Sequence, residues 1–229
     1  MTEYLTDEDR SFGEKLFSIA DDETIAWMNQ KSYEFIRMMS YYRCAMMEVE
    51  TKLNVLNEEF TLQHDRNPIN SIKSRLKKPK SLREKLERRG LPFTAKAVEE
   101  NIYDMAGIRV VCSFQEDVYM IADSLLKQDD ITLVHKKDYI ACPKDNGYRS
   151  LHLIVAVPIY LASEKRMMKV EIQLRTIAMD CWASLEHQLR YKKDRAFSEE
   201  MMHELYRCAE LSAELDARMG KLQKEIQDG

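Results

Sequence analysis

The stretch from Met168 to Arg175, "MKVEIQLR", alternates apolar and polar residues without a break. Side chains alternate across a β-strand, so Met168, Val170, Ile172 and Leu174 share one face and Lys169, Glu171, Gln173 and Arg175 share the other. The first face asks for a core. The second sets two cations, a carboxylate and an amide side by side. That is what a solvated sheet face looks like, and it is also what a site looks like.

Working outward, similar β-type segments occur at Ile69–Lys77, Tyr103–Ser113, Ile131–Ala141 and Ser150–Pro158, with Met167–Arg175 as the fifth. Helical patterns fall between some of them, near Leu82–Arg89, Ala95–Asn101 and Gln115–Gln128. The last three strands follow one another with short connections, which predicts an antiparallel part. Both ends of the chain are helical. From Asp22 to His64, Phe35, Met39, Tyr42, Met46, Val49, Leu53, Leu56 and Phe60 repeat in steps of three and four, a heptad seam. Met201, Leu205, Cys208, Ser212, Leu215, Met219, Leu222 and Ile226 do nearly the same. A shorter pattern at about Asp7–Ala20 reads as another helix. The fold class expected is α+β: a mixed five-stranded sheet flanked by helices, with long N- and C-terminal helices. The seams suit packing against each other, packing on the sheet, or a subunit interface.

The totals exclude several classes. The 229 residues carry a formal net charge of −4, so the chain is no basic nucleic-acid coat. Its five cysteines show no CxxC pair and no metal-ligand spacing, which fits free thiols in a reducing compartment. No apolar run reaches a membrane-spanning length and the first residues carry no signal pattern, so a cytoplasmic protein is expected. The six glycines form neither a P-loop nor GxGxxG. Any phosphate binding would rest on Lys and Arg.

Three further stretches carry chemistry. In "NIYDMAGIRVVCSF", Asp104 stands at the mouth of an apolar strand with Arg109 five residues on. Asp104 and Glu171 make a natural carboxylate pair for a hard cation such as Mg²⁺, though each also fits a turn or a surface. Lys73–Arg89 holds nine bases against two acids, +7 in 17 residues of a chain whose total is −4. Such a run is usually solvated, but here it also suits an anionic ligand, RNA included. "ACPKDNGYRSLH", Ala141–His152, puts Lys144, Asn146, Tyr148 and His152 on or beside a glycine-containing loop. Tyr148 suits stacking on a flat ring, and Lys144 and His152 suit phosphates.

Taken together, "SRLKKPKSLREKL", "YDMAGIRVV", "PKDNGYRSLH", "VEIQLRT" and "WASLEHQLRYK" resemble, in order, the signature of the RelA/SpoT-type guanosine tetra- and pentaphosphate synthetases. The resemblance spans roughly Ile69 to Lys193. It is narrower for the small single-domain members of the RelP or RelQ kind, nearer RelP. His64-Asp65 spells the HD dipeptide of the family's hydrolase domain but lacks that domain's further ligands, and is read as chance.

The resemblance implies a nucleotidyltransferase-like synthetase core at 69–193, a helical extension at 1–68, and a C-terminal helix at 194–229 suited to oligomerisation. It implies Mg²⁺-dependent transfer of pyrophosphate from ATP to the 3′-hydroxyl of GDP or GTP, releasing AMP. Glu171 would be the general base and, with Asp104, hold the metal. Arg75 and Arg109 would sandwich adenine, and Lys77, Ser81 and Lys85 would meet the ATP phosphates. Lys144, Asn146, Tyr148, His152 and Gln173 would form the guanosine pocket. Homotetramer assembly through terminal helices is implied as well. The alternatives are a toxin-like relative acting on tRNA 3′ ends or adenine nucleotides, and a non-catalytic nucleotide- or RNA-binding regulator.

Overall fold

The computed structural model describes residues 22–64, 66–191 and 198–227. The expected helix near Asp7–Ala20, the partner residue of the His64-Asp65 dipeptide, and the expected boundary at 193/194 lie outside the described residues. In chain order the elements are α1 (Asp22–His64), β1 (Ile69–Leu76), α2 (Pro79–Arg88), α3 (Ala95–Asn101), β2 (Ala106–Cys112), α4 (Gln115–Leu126), β3 (Thr132–Asp138), β4 (Leu151–Tyr160), β5 (Lys165–Thr176), α5 (Ile177–Tyr191) and α6 (Glu199–Gln227).

The five strands form one sheet in the order β1-β2-β5-β4-β3. β2 and β5 run parallel, and every other neighbouring pair is antiparallel, so the sheet is mixed. The antiparallel part expected from the last three strands is present. One sheet face is apolar: Ile108, Val110, Leu151, Leu153, Val155, Val170, Ile172 and Leu174 are buried. The seam of α1 covers it, with Phe35, Met39, Tyr42, Met46, Val49, Leu53 and Leu56 buried in the same cluster. That seam is therefore used within the chain. Burying each such side chain stabilises the fold by about 1.5–3 kcal/mol, an upper figure. Val118, Ile121, Ala122 and Leu125 of α4 complete the layer.

Asp117, 1% exposed, ties the connection into β1 to α4. It accepts two hydrogen bonds from Arg66, at 2.8 and 2.6 Å, and one from the Phe114 N–H at the start of α4.

The C-terminal helices make a smaller cluster. Trp182 and Ala183 of α5 pack on Ala209 of α6, with Tyr148 against them. Trp182 Nε1 donates to the Leu205 carbonyl at 3.0 Å. Thr176 caps α5 by accepting from the Met179 N–H, and its hydroxyl donates to Asp216 of α6 at 2.6 Å. The seam expected on α6 faces mostly outward: Met201, Leu215, Met219, Leu222 and Ile226 are exposed.

Candidate active site

Because strand registers align side chains in rows, the polar face of the sheet can be read straight across. One row runs Lys73, Arg109, Gln173, His152, Lys137, and the next runs Arg75, Gly107, Glu171, Ile154, His135. Residues two apart on a strand share a face, so both rows look the same way. The polar side of "MKVEIQLR" thus faces the same way as both rows, and β5, third of five in the sheet, carries the middle of each.

Two cavities open on this face. The first, about 400 Å³, is lined by Lys73, Arg75, Lys77, Lys78, Ser81 and Arg109 among others, and Gly107, without a side chain, leaves its floor open. The second, about 350 Å³, is lined by Lys85, Arg89, Tyr103, Tyr139, Lys144 and His152 among others. Asp104 and Glu171 line both. The two carboxylates mark the divide.

Asp104 lies in the turn before β2, where the Lys77 N–H donates to the neighbouring Met105 carbonyl at 2.8 Å. Its Oδ2 takes Lys77 Nζ at 2.9 Å and Lys85 Nζ at 2.7 Å. Burial alone would raise its pKa, but the hydrogen bonds and charges of Lys85 and Lys77 outweigh that and hold the carboxyl below the usual range. Its Oδ1 is buried and has no hydrogen-bond partner. Glu171 is shifted the other way. Burial and the Asp104 charge raise its pKa, against the Gln173 amide, which donates to Glu171 Oε2 at 3.0 Å, and the two lysines. Two carboxylates in one site pushed apart in this manner can take different roles.

His152 is buried among the positive charges of Arg175, Lys144 and Lys137. Burial foremost, then those charges, push its pKa down to about 3, so the imidazole is neutral. Its 3.8 Å approach to Glu171 is then a polar contact and not an ion pair.

The donor set fits a hard divalent cation. Asp104 offers an unpartnered buried oxygen and Glu171 a carboxylate beside it. No group of three or more His, Cys, Asp and Glu side chains gathers as a metal cage among the described residues. A cation that keeps waters and substrate phosphates in its shell needs no such cage.

The expected site residues separate between the cavities. Arg75, Lys77, Ser81 and Arg109 line the first, and so does Gln173, which the sequence grouped with the other pocket. Lys144 and His152 line the second, and so does Lys85. Asn146 and Tyr148 line neither. The Asn146 side chain accepts from the Tyr148 N–H at 3.2 Å and shapes the turn. Tyr148 is turned inward: its hydroxyl meets His152 Nε2 at 2.8 Å and accepts from Arg175 Nη2 at 2.6 Å. Lys144 Nζ caps the Tyr148 and Tyr139 rings, 4.7 Å from each centroid. Sequence reasoning missed Tyr103, Tyr139 and His135, whose place depends on strand pairing. It also assigned nothing to Arg175 and Asp180, although Arg175 stands in the polar register of "MKVEIQLR".

Comparison with known proteins agrees with this geometry. Residues 74–196 match the family described as a region found in RelA / SpoT proteins. The GTP pyrophosphokinase YwaC of Bacillus subtilis is 43% identical over 185 residues, 81% of this chain and 88% of that protein. The crystal structure of small alarmone synthetase 2 from B. subtilis superposes with a TM-score of 0.76 at 39% identity, covering 84% of this chain and 99% of that one. That of small alarmone synthetase 1 from B. subtilis, bound to its product pppGpp, gives 0.76 at 35% identity, covering 84% and 98%.

Proposed function

The chain belongs to the RelA/SpoT family, and from that premise we propose that it is a GTP pyrophosphokinase making ppGpp or pppGpp. It joins the 3′-oxygen of GDP or GTP to the β-phosphorus of ATP. The bond from that phosphorus to the α-phosphate bridging oxygen breaks, and AMP leaves. The observation that carries this is the pair of cavities on one sheet face that meet at Asp104 and Glu171. A two-substrate transfer needs two pockets and a proton acceptor where they join.

ATP would occupy the first cavity. Arg75 and Arg109 stand diagonally on β1 and β2, and diagonal neighbours on paired strands lie about 7–8 Å apart, room for one flat ring between two guanidinium planes. Lys77, Lys78 and Ser81 lie where the phosphates would run towards the carboxylates. GDP or GTP would take the second cavity, its base near Tyr139 or Tyr148 and its phosphates near Lys144, Lys137 and Arg89. Tyr148 would leave its inward contacts to stack on guanine.

Glu171 would accept the 3′-hydroxyl proton. Its raised pKa makes it a stronger base than an ordinary glutamate. Neutral His152 beside it brings no positive charge that would lower the basicity of Glu171. Lys77 and Lys85 hold Asp104 ionised and offset phosphate charge. A divalent cation, Mg²⁺ by preference, would be held by Asp104 and Glu171, and when bound it supplies charge neutralisation for the transferring phosphoryl groups.

Much of the basic run is spent in these cavities. Lys73, Arg75, Lys77 and Lys78 line the first and Lys85 and Arg89 the second, which accounts for the charge without RNA. The exposed stripe of α6 would serve assembly into a homotetramer.

The deciding experiment offers purified protein Mg²⁺, γ-labelled ATP and, separately, GDP, GTP, ATP alone or deacylated tRNA. Label on GDP or GTP is expected. Label on tRNA or adenine nucleotide would make this a toxin-like relative, and binding without transfer a regulator.

A further inference from the structure

Asp180, in the first turn of α5, faces two guanidinium groups with one oxygen. Its Oδ1 lies 3.3 Å from Arg109 Nη1 and 3.1 Å from Arg175 Nη1. Arg109 lines the first cavity. Arg175 lines neither and is only 5% exposed. Its Nη2 donates to the Tyr148 hydroxyl at 2.6 Å and to Gln173 Oε1 at 3.2 Å. The Tyr148 hydroxyl meets His152 Nε2, and His152 lines the second cavity. A continuous polar path, Arg109–Asp180–Arg175–Tyr148–His152, therefore runs from one cavity to the other behind the reacting groups.

A buried arginine that touches no cavity is costly to keep. Arg175 Nε is moreover buried without a hydrogen-bond partner, so Arg175 is not held there by a full set of contacts. Arg175 Nη1 hydrogen-bonds Asp180 Oδ1 while Arg109 pairs with it by charge, so a shift of either guanidinium changes the charge the other meets.

We propose that Asp180 is a positioning residue that couples the two cavities, so that ATP in the first releases Tyr148 for GDP or GTP in the second. This rests on the assignment of the two cavities given above. Arg109 stacking on the adenine draws its guanidinium off Asp180. Asp180 then serves Arg175 alone and turns it towards α5. The Tyr148 hydroxyl loses its 2.6 Å donor, and the ring is freed to leave its inward packing. The coupling is positive and, as a binding linkage, reciprocal: each nucleotide tightens the other by one and the same factor.

Calorimetric titration of GDP, with and without a saturating α,β-methylene ATP analogue that cannot transfer, reads this factor directly. The wild type should bind GDP about fivefold or more tighter with the analogue present. Asp180→Asn keeps the shape and an acceptor but removes the charge that both arginines share, and its factor should fall to near one. Tyr148→Phe keeps the ring, removes the last link, and should do the same. The double variant should match either single one, as members of one path do. If Asp180→Asn does not fold, Tyr148→Phe carries the test. A purely structural role for Asp180 would weaken both nucleotides and leave the factor intact, which would overturn the proposal, as would a wild-type factor of one or additive effects in the double variant. If the wild type binds neither nucleotide, the assigned function falls with it. If it makes product without coupling, only this inference fails.

Discussion

Gly147 is the most exacting position in the loop that joins β3 to β4. Its φ is +84°, in the region that L side chains rarely adopt. Its N–H donates to the Lys144 carbonyl at 2.7 Å, closing the turn. A Cβ placed there would stand 2.5 Å from the Ala209 Cβ of α6 and 3.5 Å from Tyr206 Cδ2. Gly147→Ala therefore costs about 1–2 kcal/mol for the backbone and about 1–3 kcal/mol for the overlap. The overlap falls on the Ala209 Cβ, which the α6 backbone fixes in place, and not on the far end of a flexible chain, so the loop must lift from α6. Lifting strains the latch in which Arg149 Nη2 meets Glu210 Oε1 at 2.9 Å and Arg149 Nη1 reaches the Gly147 and Ala209 carbonyls.

The total, about 2–5 kcal/mol, should lower the melting temperature by about 2–4 °C for each kcal/mol in a chain of this size. Ala209→Gly supplies the control. Alone it costs about 1 kcal/mol of helix propensity. Combined with Gly147→Ala it removes the overlap and leaves the backbone strain, so the pair should lose about 1–3 kcal/mol less than the sum of the singles. Denaturant titration of the four proteins measures this. The same loop carries Lys144 and Tyr148, so the KM for GDP should rise in Gly147→Ala while that for ATP stays put. Additive stabilities, or equal changes in both KM values, would refute the contact between this loop and α6 as the thing that shapes the second cavity.

Glu171→Gln should lower kcat by about 10²–10⁴ with both nucleotides still bound, checked by steady-state kinetics and calorimetry. Because burial and Asp104 raise the pKa of Glu171 in the fold, its ionisation works against folding above the ordinary value of about 4.3. Glu171→Gln should therefore raise the melting temperature at pH 7, a gain that fades as the pH falls through the raised range towards that value. Arg66→Ala leaves Asp117 buried with one remaining N–H donor, and should cost about 3 kcal/mol in denaturant titration. Chelation with EDTA should abolish transfer, and Mg²⁺ should restore it.

Strands β2, β4 and β5 and the α1 seam were legible because each writes its burial into a local period. "MKVEIQLR" keeps period two through a strand whose apolar residues are all at most 3% exposed. Phe35 to Leu56 keeps the heptad spacing along a helix that lies on the sheet. Helix α5 was not read. Its buried residues, Met179, Trp182 and Ala183, are few, while Ile177, Leu185 and Leu189 are exposed, so its stripe is blurred. The signal present was Thr176 as a cap three residues before Met179. The second seam shows the limit of periodicity. The stripe of α6 is regular, yet its buried contact is Ala209, one residue after Cys208 of the stripe, because α5 and the Gly147 turn accept only a small residue there.

Local period assigns a side chain to a face, but lateral strand order assigns it to a cavity. Glu171 and Gln173 sit two apart and share a face, yet Glu171 lines both cavities and Gln173 only the first. The difference comes from β5 lying between β2 and β4, parallel to one and antiparallel to the other. That arrangement sets Gln173 level with Arg109 and His152, and Glu171 level with Gly107 and Ile154. The row through Glu171 thus has no polar neighbour directly beside it, and the missing side chain of Gly107 opens space on one side. The proton-acceptor role proposed for Glu171 would use that opening between two substrates. The opening arises from the pairing of three strands, of which β2 is separated from β5 in the chain by α4, β3 and β4, and no local window on the sequence spans it.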